Sequence, residues 1–333
     1  MLGRQSKRVE IRLSRAGGPR LKLVITIDVE EEGLFRRSYS RGPQGVQNVA
    51  HLRRIEPISR ELGVPLTLLV THSVACSPSC QDVLRFWRDA LRAEIGAHLH
   101  PWSTPPFHHT AHPEPVLSDL IPESVLGAKM ETLLAALWHH LGVVPRAFRM
   151  GRFDLGSRVI KLLPRHGFWV DSSVVPLRTV QGIDHFLAPR DPYWLDAPGE
   201  QRSVLEVPLT MIPISNSMPP AAYRAAQALP PRMAALLLST FRHMAVVGIH
   251  PAWYPLASMK WAARLHRRRG GRVLNLFLHS SELAPGATPR FVTEAAVRRL
   301  VNKMVAFLKW LIRTGPVEPV RLSDLHPGHR PSP

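Results

Sequence analysis

Short, nearly continuous apolar runs alternate with stretches of helical period along most of the chain. Residues 21–27 form the first run, and 65–71, 94–100, 146–150, 168–173, 204–210, 273–279 and 317–322 repeat it. Runs of this length bounded by turn residues predict strands buried on both faces. Between them, Val49, Leu52, Ile55, Ile58 and Leu62 recur near helical spacing over 48–62, where Pro57 interrupts and Gly63 closes. Helices are also predicted over 82–92, 122–141 (closed by Gly142), 156–166 and 293–313. Repeated strand–helix units predict an α/β fold with a parallel sheet, open or closed into a barrel. The stretch 219–271 is unusually long and mostly helical in pattern, which predicts an insertion or lid.

With 333 residues, 45 % of them hydrophobic, the chain can bury one substantial core. A single domain is expected over 21–325, between a basic N-terminal segment (1–20) and a short tail (326–333), both expected to be poorly ordered. No apolar stretch reaches the ~18–20 residues of a membrane helix; the best candidate, 234–238, is stopped by Arg242 and His243. The first twenty residues hold no apolar core of a secretory signal, so the expected location is cytoplasmic.

The formal net charge is +18, and only seven of the 43 cationic side chains are lysine. Such a field favours acidic partners, whether glycans, lipid headgroups or nucleic acid. Only Arg267–Arg269 form a run and no nucleic-acid module is legible, so no specific nucleic acid is expected. Peripheral contact with an anionic membrane stays open. Cys76 and Cys80 are too few for a structural zinc site, which takes four ligands. Free thiols or one local disulfide are expected of them.

Ionisable residues cluster at three strand ends, where parallel α/β sheets gather active sites. Thr26-Ile27-Asp28-Val29-Glu30-Glu31-Glu32 delivers carboxylates, with Asp28 and Glu30 on one face, suited to metal binding and base chemistry or to capping the next helix. Glu94-Ile95-Gly96-Ala97-His98-Leu99-His100-Pro101-Trp102 points two imidazoles to one side, as a divalent metal needs. Leu276-Phe277-Leu278-His279-Ser280-Ser281-Glu282 ends an apolar run on a candidate general acid. His108, His109 and His112 lie in a Pro-rich loop and are expected to be exposed; His250, in the long stretch, is the weaker candidate. Together the three ends make a metal-dependent hydrolase the natural hypothesis.

With these residues the sequence resembles the polysaccharide deacetylase family of carbohydrate esterases, and in it the divergent branch with T-[IV]-D-V-E and G-x-H-L-H-P-W. The resemblance runs from about Leu21 to Leu322 and is poor over 219–271. It implies a distorted (β/α) barrel with a largely helical insertion, and one divalent metal ion, usually Zn2+. Asp28 matches the catalytic base. Val29 stands where the family usually has a metal-binding aspartate, so Glu30 takes that place. His98 matches the first metal histidine; Trp102 stands at the usual second position, and His100 is the replacement. Phe148-Arg149-Met150-Gly151-Arg152-Phe153 resembles the third motif, whose arginine orients the base, and Val170-Asp171-Ser172-Ser173 the fourth. His279 matches the general acid, with Asp171 or Glu282 as the acid that raises its pKa.

What the resemblance implies is hydrolysis of an N-acetyl group on an amino sugar, in a polysaccharide or its precursor. Trp102, Phe153, Tyr193 and Trp194, and less so Trp169, are candidates to stack on sugar faces. A small-molecule amidase or imidase on the same barrel is one alternative. A catalytically inactive barrel that binds glycan or polyanion is another, kept open by the shifted ligand pattern.

Overall fold

The structure, a computed structural model, describes residues 20–42, 44–107, 112–180, 182–196, 199–200 and 203–328. His108 and His109, nearly all of the 1–20 segment and the end of the tail lie outside the described residues. In chain order, β1 (Leu21–Val29) leads through a 3-10 segment (Gln47–Ile55) into α1 (Glu56–Leu62). β2 (Thr67–Val70) precedes α2 (His72–Ala75) and α3 (Pro78–Leu91); β3 (Glu94–Leu99) precedes α4 (Glu123–Leu141); β4 (Ala147–Met150) precedes α5 (Ser157–Arg165). Short strands follow: β5 (Val170–Asp171), β6 (Thr179–Val180), β7 (Ile183–Asp184), β8 (Tyr193–Trp194), β9 (Leu205–Glu206) and β10 (Met211–Pro213). After these come α6 (Met218–Gln227), α7 (Pro231–Ala245), β11 (Val246–Gly248), α8 (Leu256–Arg268), β12 (Val273–His279), α9 (Glu294–Arg313) and β13 (Val317–Pro319).

The main sheet runs β12-β1-β2-β3-β4-β5-β9-β8, with β13 on the first residues of β1. Its pairs are parallel except β8 against β9. The sheet curls into a half-barrel, as the βα alternation and the family resemblance predict. Its two ends approach through one backbone and one side-chain hydrogen bond: the Thr210 N–H donates to the Asn275 carbonyl at 3.2 Å, and Thr210 Oγ1 accepts from the Asn275 N–H at 2.8 Å.

Period-two alternation sorts the strand residues into two layers. Ile25, Ile27, Leu68, Val70, Leu276 and Leu278 point outward and join Leu52, Leu84, Leu133, Met304 and Phe307 from the helices in the principal core. Each such side chain contributes about 1.5–3 kcal/mol on burial. Inside the curl, Val24, Leu69, Ala147, Val170 and Val273 plug the lower end. One step up the same strands stand Thr26, Arg149, Ser172 and Asn275, all buried, and two residues above Thr26 lies Asp28. The polar side chains are thus stacked on an apolar floor at the carboxyl ends of the strands.

Several expectations shift. The 48–62 helix begins as a 3-10 segment, and its α-helical part starts only at Glu56, with Pro57 in the first turn. No intrahelical acceptor is needed there, so the proline starts the helix rather than interrupting it. The runs 168–173 and 204–210 pair over two residues each, because Ser172, Ser173 and Glu206 side chains take over backbone bonding beyond them. The stretch 219–271 is mostly helical, as expected. α6 and α7 form a hairpin, but β11 pairs antiparallel with β10, and α8 buries Met259, Ala262 and Ala263 in the principal core. Cys76 and Cys80 are free thiols. No helix among the described residues is long and apolar enough to cross a membrane.

Candidate active site and metal centre

Strand register sets the site. Asp28 of β1 pairs with His279 of β12, and His98 of β3 pairs with Arg149 of β4. Four chemically active residues are thereby gathered near the carboxyl ends of neighbouring strands, with their side chains turned inward.

Arg149 is fully buried and its guanidinium is held on several sides. Nε donates to the Ser172 carbonyl at 2.7 Å, and one terminal nitrogen donates to Thr26 Oγ1 and Ser172 Oγ, each at 2.9 Å. The other terminal nitrogen donates to Asp28 Oδ1. Burial pushes the Asp28 carboxyl up, but the charges of Arg149, His98 and His279 hold it below its ordinary value. Its second oxygen, Oδ2, stands 3.9 Å from His98 Nε2 and 3.8 Å from His279 Nε2.

On the other side of Asp28 the two histidines of β3 and its exit face each other. His98 Nδ1 donates to the Arg149 carbonyl at 2.9 Å, and His100 Nδ1 donates to Glu31 Oε1 at 2.9 Å. Those acceptors turn both Nε2 atoms toward one point, where they stand 2.9 Å apart. Glu30 Oε2 lies 3.5 Å from each of them. Three ligand atoms so placed fit a shared cation. Two imidazoles, each oriented by a hydrogen bond on its far nitrogen, plus one carboxylate form the facial donor set that suits zinc and its neighbours. Glu30, His98 and His100 are all buried and their ligand atoms lie within 4.8 Å of one another. Without a cation, burial drives the Glu30 carboxyl up to about 7 against the pull of His279 and His100, and the Asp28 and Glu31 charges add to the rise.

His279 Nδ1 lies 3.3 Å from Glu282 Oε2, which also accepts the His279 N–H at 3.0 Å. Burial disfavours the charged imidazole, but Glu30, Glu282 and Asp28 overcome it and raise the pKa to about 9. His279 is therefore a cation at neutral pH with its Nε2 directed toward Asp28. Behind it stands His250, which the sequence ranked low. Its Nδ1 accepts the Ala252 N–H at 3.1 Å, so the ring proton is on Nε2, 3.6 Å from Glu282 Oε2. It stacks on Trp253 with ring centroids 4.3 Å apart, and burial holds it neutral, its pKa pushed down to about 3. His250, His279 and Glu282 also cluster as a metal-type group, but the tautomer makes His250 Nε2 a donor toward the carboxylate.

Asp171 is not the partner of His279. Its carboxylate accepts from Ser173 Oγ at 2.7 Å and faces Glu206, which burial and the Asp171 charge raise well above the usual carboxylate range. This buried acid pair lies behind Arg149, and Ser173 Oγ in turn accepts from Met150 N at 2.8 Å. Glu282, three residues after His279, does what was expected of Asp171.

The aromatic candidates divide. Trp102 is buried and stacks on His100 at 4.4 Å, so it shapes a metal-site imidazole. Phe153 is buried, 5.3 Å from Phe277, and follows Arg152; both have left-handed backbones (φ 58° and 62°). Two consecutive non-glycine residues in that region are strained, a feature concentrated at functional sites. Tyr193 borders the Glu206–Asp171 pair, whose charges join burial in raising its hydroxyl. Trp194 does not reach the site. β8 is antiparallel to β9, which carries Trp194 to the opposite end, edge-on to His326 at 5.4 Å. Trp169 is at that end too, with His326 5.5 Å away. His112 is exposed as expected.

Glu31 was not singled out in the sequence, and His250 was ranked low. Glu31 anchors His100 and accepts from Ser103 Oγ at 2.7 Å; its only signal was its place in an acidic triplet. The His250 signal was an apolar run ending in His-Pro, the same ending as His100-Pro101.

No protein-family model and no curated protein matches this sequence. Solved structures do. A candidate polysaccharide deacetylase from Mycobacterium smegmatis superposes with a TM-score of 0.56 at 17 % identity, covering 94 % of this chain and 91 % of the other. A candidate glycoside hydrolase/deacetylase from Parabacteroides distasonis superposes with a TM-score of 0.56 at 9 % identity, covering 92 % and 71 %. At such identities the likeness concerns the backbone. The chain has the fold of the polysaccharide deacetylases, the family its motifs resemble.

Proposed function

We propose that the protein is a metal-dependent hydrolase that removes an N-acetyl group from an amino sugar in a polysaccharide or its precursor. The observation that carries this reading is the opposition of an arginine-held carboxylate and a cationic histidine across Asp28 Oδ2 and His279 Nε2, 3.8 Å apart, beside a three-ligand cation site. Glu30, His98 and His100 would hold a divalent ion, Zn2+ by its donor set. Bound there, such an ion supplies Lewis acidity, which acidifies water and polarises an acyl oxygen.

The chain's own groups supply the proton transfers. Asp28, kept ionised by Arg149, takes a proton from the attacking water as its oxygen bonds to the acyl carbon. His279, kept protonated by Glu282 with His250 behind it, delivers a proton to the nitrogen as the C–N bond breaks. The products are the free amine and the carboxylate. The Arg149 hydrogen bonds fix the direction of Asp28 and leave Oδ2 for the water. Phe153, whose ring centre lies 5.5 Å from the Arg149 guanidinium carbon, is the aromatic candidate for contact with the sugar.

The test is acetate release from N-acetylated oligosaccharides by protein loaded with zinc, with Asp28→Asn and His279→Ala as controls. Release that both variants abolish supports the reading. No release from oligosaccharide or monosaccharide acetamides by metal-loaded protein overturns it.

A further inference from the structure

Arg178 and Arg242 form a cationic pair beside the candidate site that the hydrolytic steps do not use. Arg178 precedes β6, which α7 contacts, and α7 carries Arg242. The Arg178 guanidinium carbon lies 5.6 Å from the Phe153 ring centre, and that of Arg242 lies 5.5 Å from the Trp253 ring centre. Phe277 joins the two rings edge-on, at 5.3 Å from Phe153 and 5.1 Å from Trp253, and is itself 5.4 Å from His279. The two cations therefore border one aromatic wall whose centre touches the proposed acid.

Neither arginine forms an ion pair with a described carboxylate. Arg178 Nε is buried and has no hydrogen-bond partner. From Val207 to Ser281 the sequence contains no aspartate or glutamate. The nearby Asp184 is committed, accepting from the Tyr223 hydroxyl at 2.6 Å and the Phe186 N–H at 2.9 Å. Burial and the charges of Arg242 and Arg152 push the Arg178 pKa down to about 10. Like charges held together in a partly buried place, without a counter-ion and with an idle N–H donor, are costly unless an anion joins them. The planar guanidinium fork fits phosphate and carboxylate oxygens.

We infer that Arg178 and Arg242 bind an anionic group, a phosphate or a carboxylate, carried by the substrate next to the sugar whose acyl group is removed. The inference rests on the hydrolase reading for the sugar but not for the anion. A phosphate would come from an activated or lipid-linked precursor, a carboxylate from an acidic glycan.

Calorimetric titration of the full chain with N-acetylglucosamine, N-acetylglucosamine 1-phosphate and glucuronic acid tests it, since binding is read without turnover. The expected result is that at least one anionic sugar binds about tenfold more tightly than the neutral one. That advantage disappears in Arg178→Gln and in Arg242→Gln, each checked for folding by circular dichroism. A gain confined to the phosphate assigns a precursor, and one confined to the uronic acid an acidic glycan. Equal binding of neutral and anionic sugars, or an advantage that survives both substitutions, overturns the inference. Failure of the hydrolase reading would show differently, as anion-dependent binding without acetate release.

Discussion

His98 Nε2 and His100 Nε2 face each other across 2.9 Å with both far nitrogens already spent as donors, one to the Arg149 carbonyl and one to Glu31. That spacing, with Glu30 Oε2 3.5 Å from each, suits a shared cation. Purified protein is therefore expected to hold one equivalent of a divalent metal, measured by elemental analysis. His98→Ala with His100→Ala is expected to lose it. Glu31→Gln is expected to keep the fold and weaken metal binding about 10–100-fold, the usual cost of removing an outer-shell partner. Wild-type protein that holds no metal and takes up none would eliminate the cation site.

The Arg149–Asp28 pair is buried at both ends, so its halves depend on each other. Arg149→Met leaves an ionised carboxylate without its partner, and a loss of about 3–5 kcal/mol is expected in urea unfolding. Adding Asp28→Asn to that variant should recover much of the stability but none of the activity. Recovery of activity would show that Asp28 is not the base.

The pH dependence follows from the two sides of the site. His279 has its pKa raised from 6.5 to about 9, so its ion pairing stabilises the fold fully below about pH 6.5 and is lost as the pH rises through about 9. The rate should fall on the same alkaline side as the acid loses its proton. Asp28, held below its ordinary value, sets a limb on the acid side, where protonation removes the base. Glu282→Gln is expected to move the alkaline limb to lower pH and leave the acid limb in place. A limb unmoved in this variant would show that Glu282 does not tune His279.

Gly151 is required for close approach. A Cβ there would lie 2.6 Å from His100 Cδ2, 2.8 Å from the Leu99 carbonyl and 3.1 Å from the Trp102 ring. Gly151→Ala is expected to cost about 1–3 kcal/mol, as overpacking does, and to displace the His100 ring. Metal affinity measured by competition with a chelator should fall with it. Unchanged affinity would mean that the imidazole tolerates the shift.

Much of the barrel was legible because its strands are buried on both faces, which writes apolar runs such as 21–27 and 273–279 directly into the sequence. The inward residues of the site were legible for the related reason that a carboxylate or imidazole at the end of such a run has no reason of packing to be there. Asp28, Glu30, His98, His100 and His279 fall in that class, and Arg149, implied only by the resemblance, converges with them. The short strands β5 and β9 were overestimated, since side-chain hydrogen bonds end the ladder where the residues are still apolar.

Local pattern alone determined the βα array, the floor of the barrel and the face on which each ionisable residue sits, because period-two geometry is a property of the strand itself. Which residues become partners was decided by strand order and by return paths. Glu282 rather than Asp171 reaches His279 because it lies in the same turn, while β5 is across the barrel, beyond Arg149. Trp194 is lost to the site because β8 runs antiparallel. His250 enters it because β11 folds back on β10, and Arg178 meets Arg242 because α7 lies on β6. Apart from the His279–Glu282 turn, those are contacts across long sequence separations, and no local spacing encodes them.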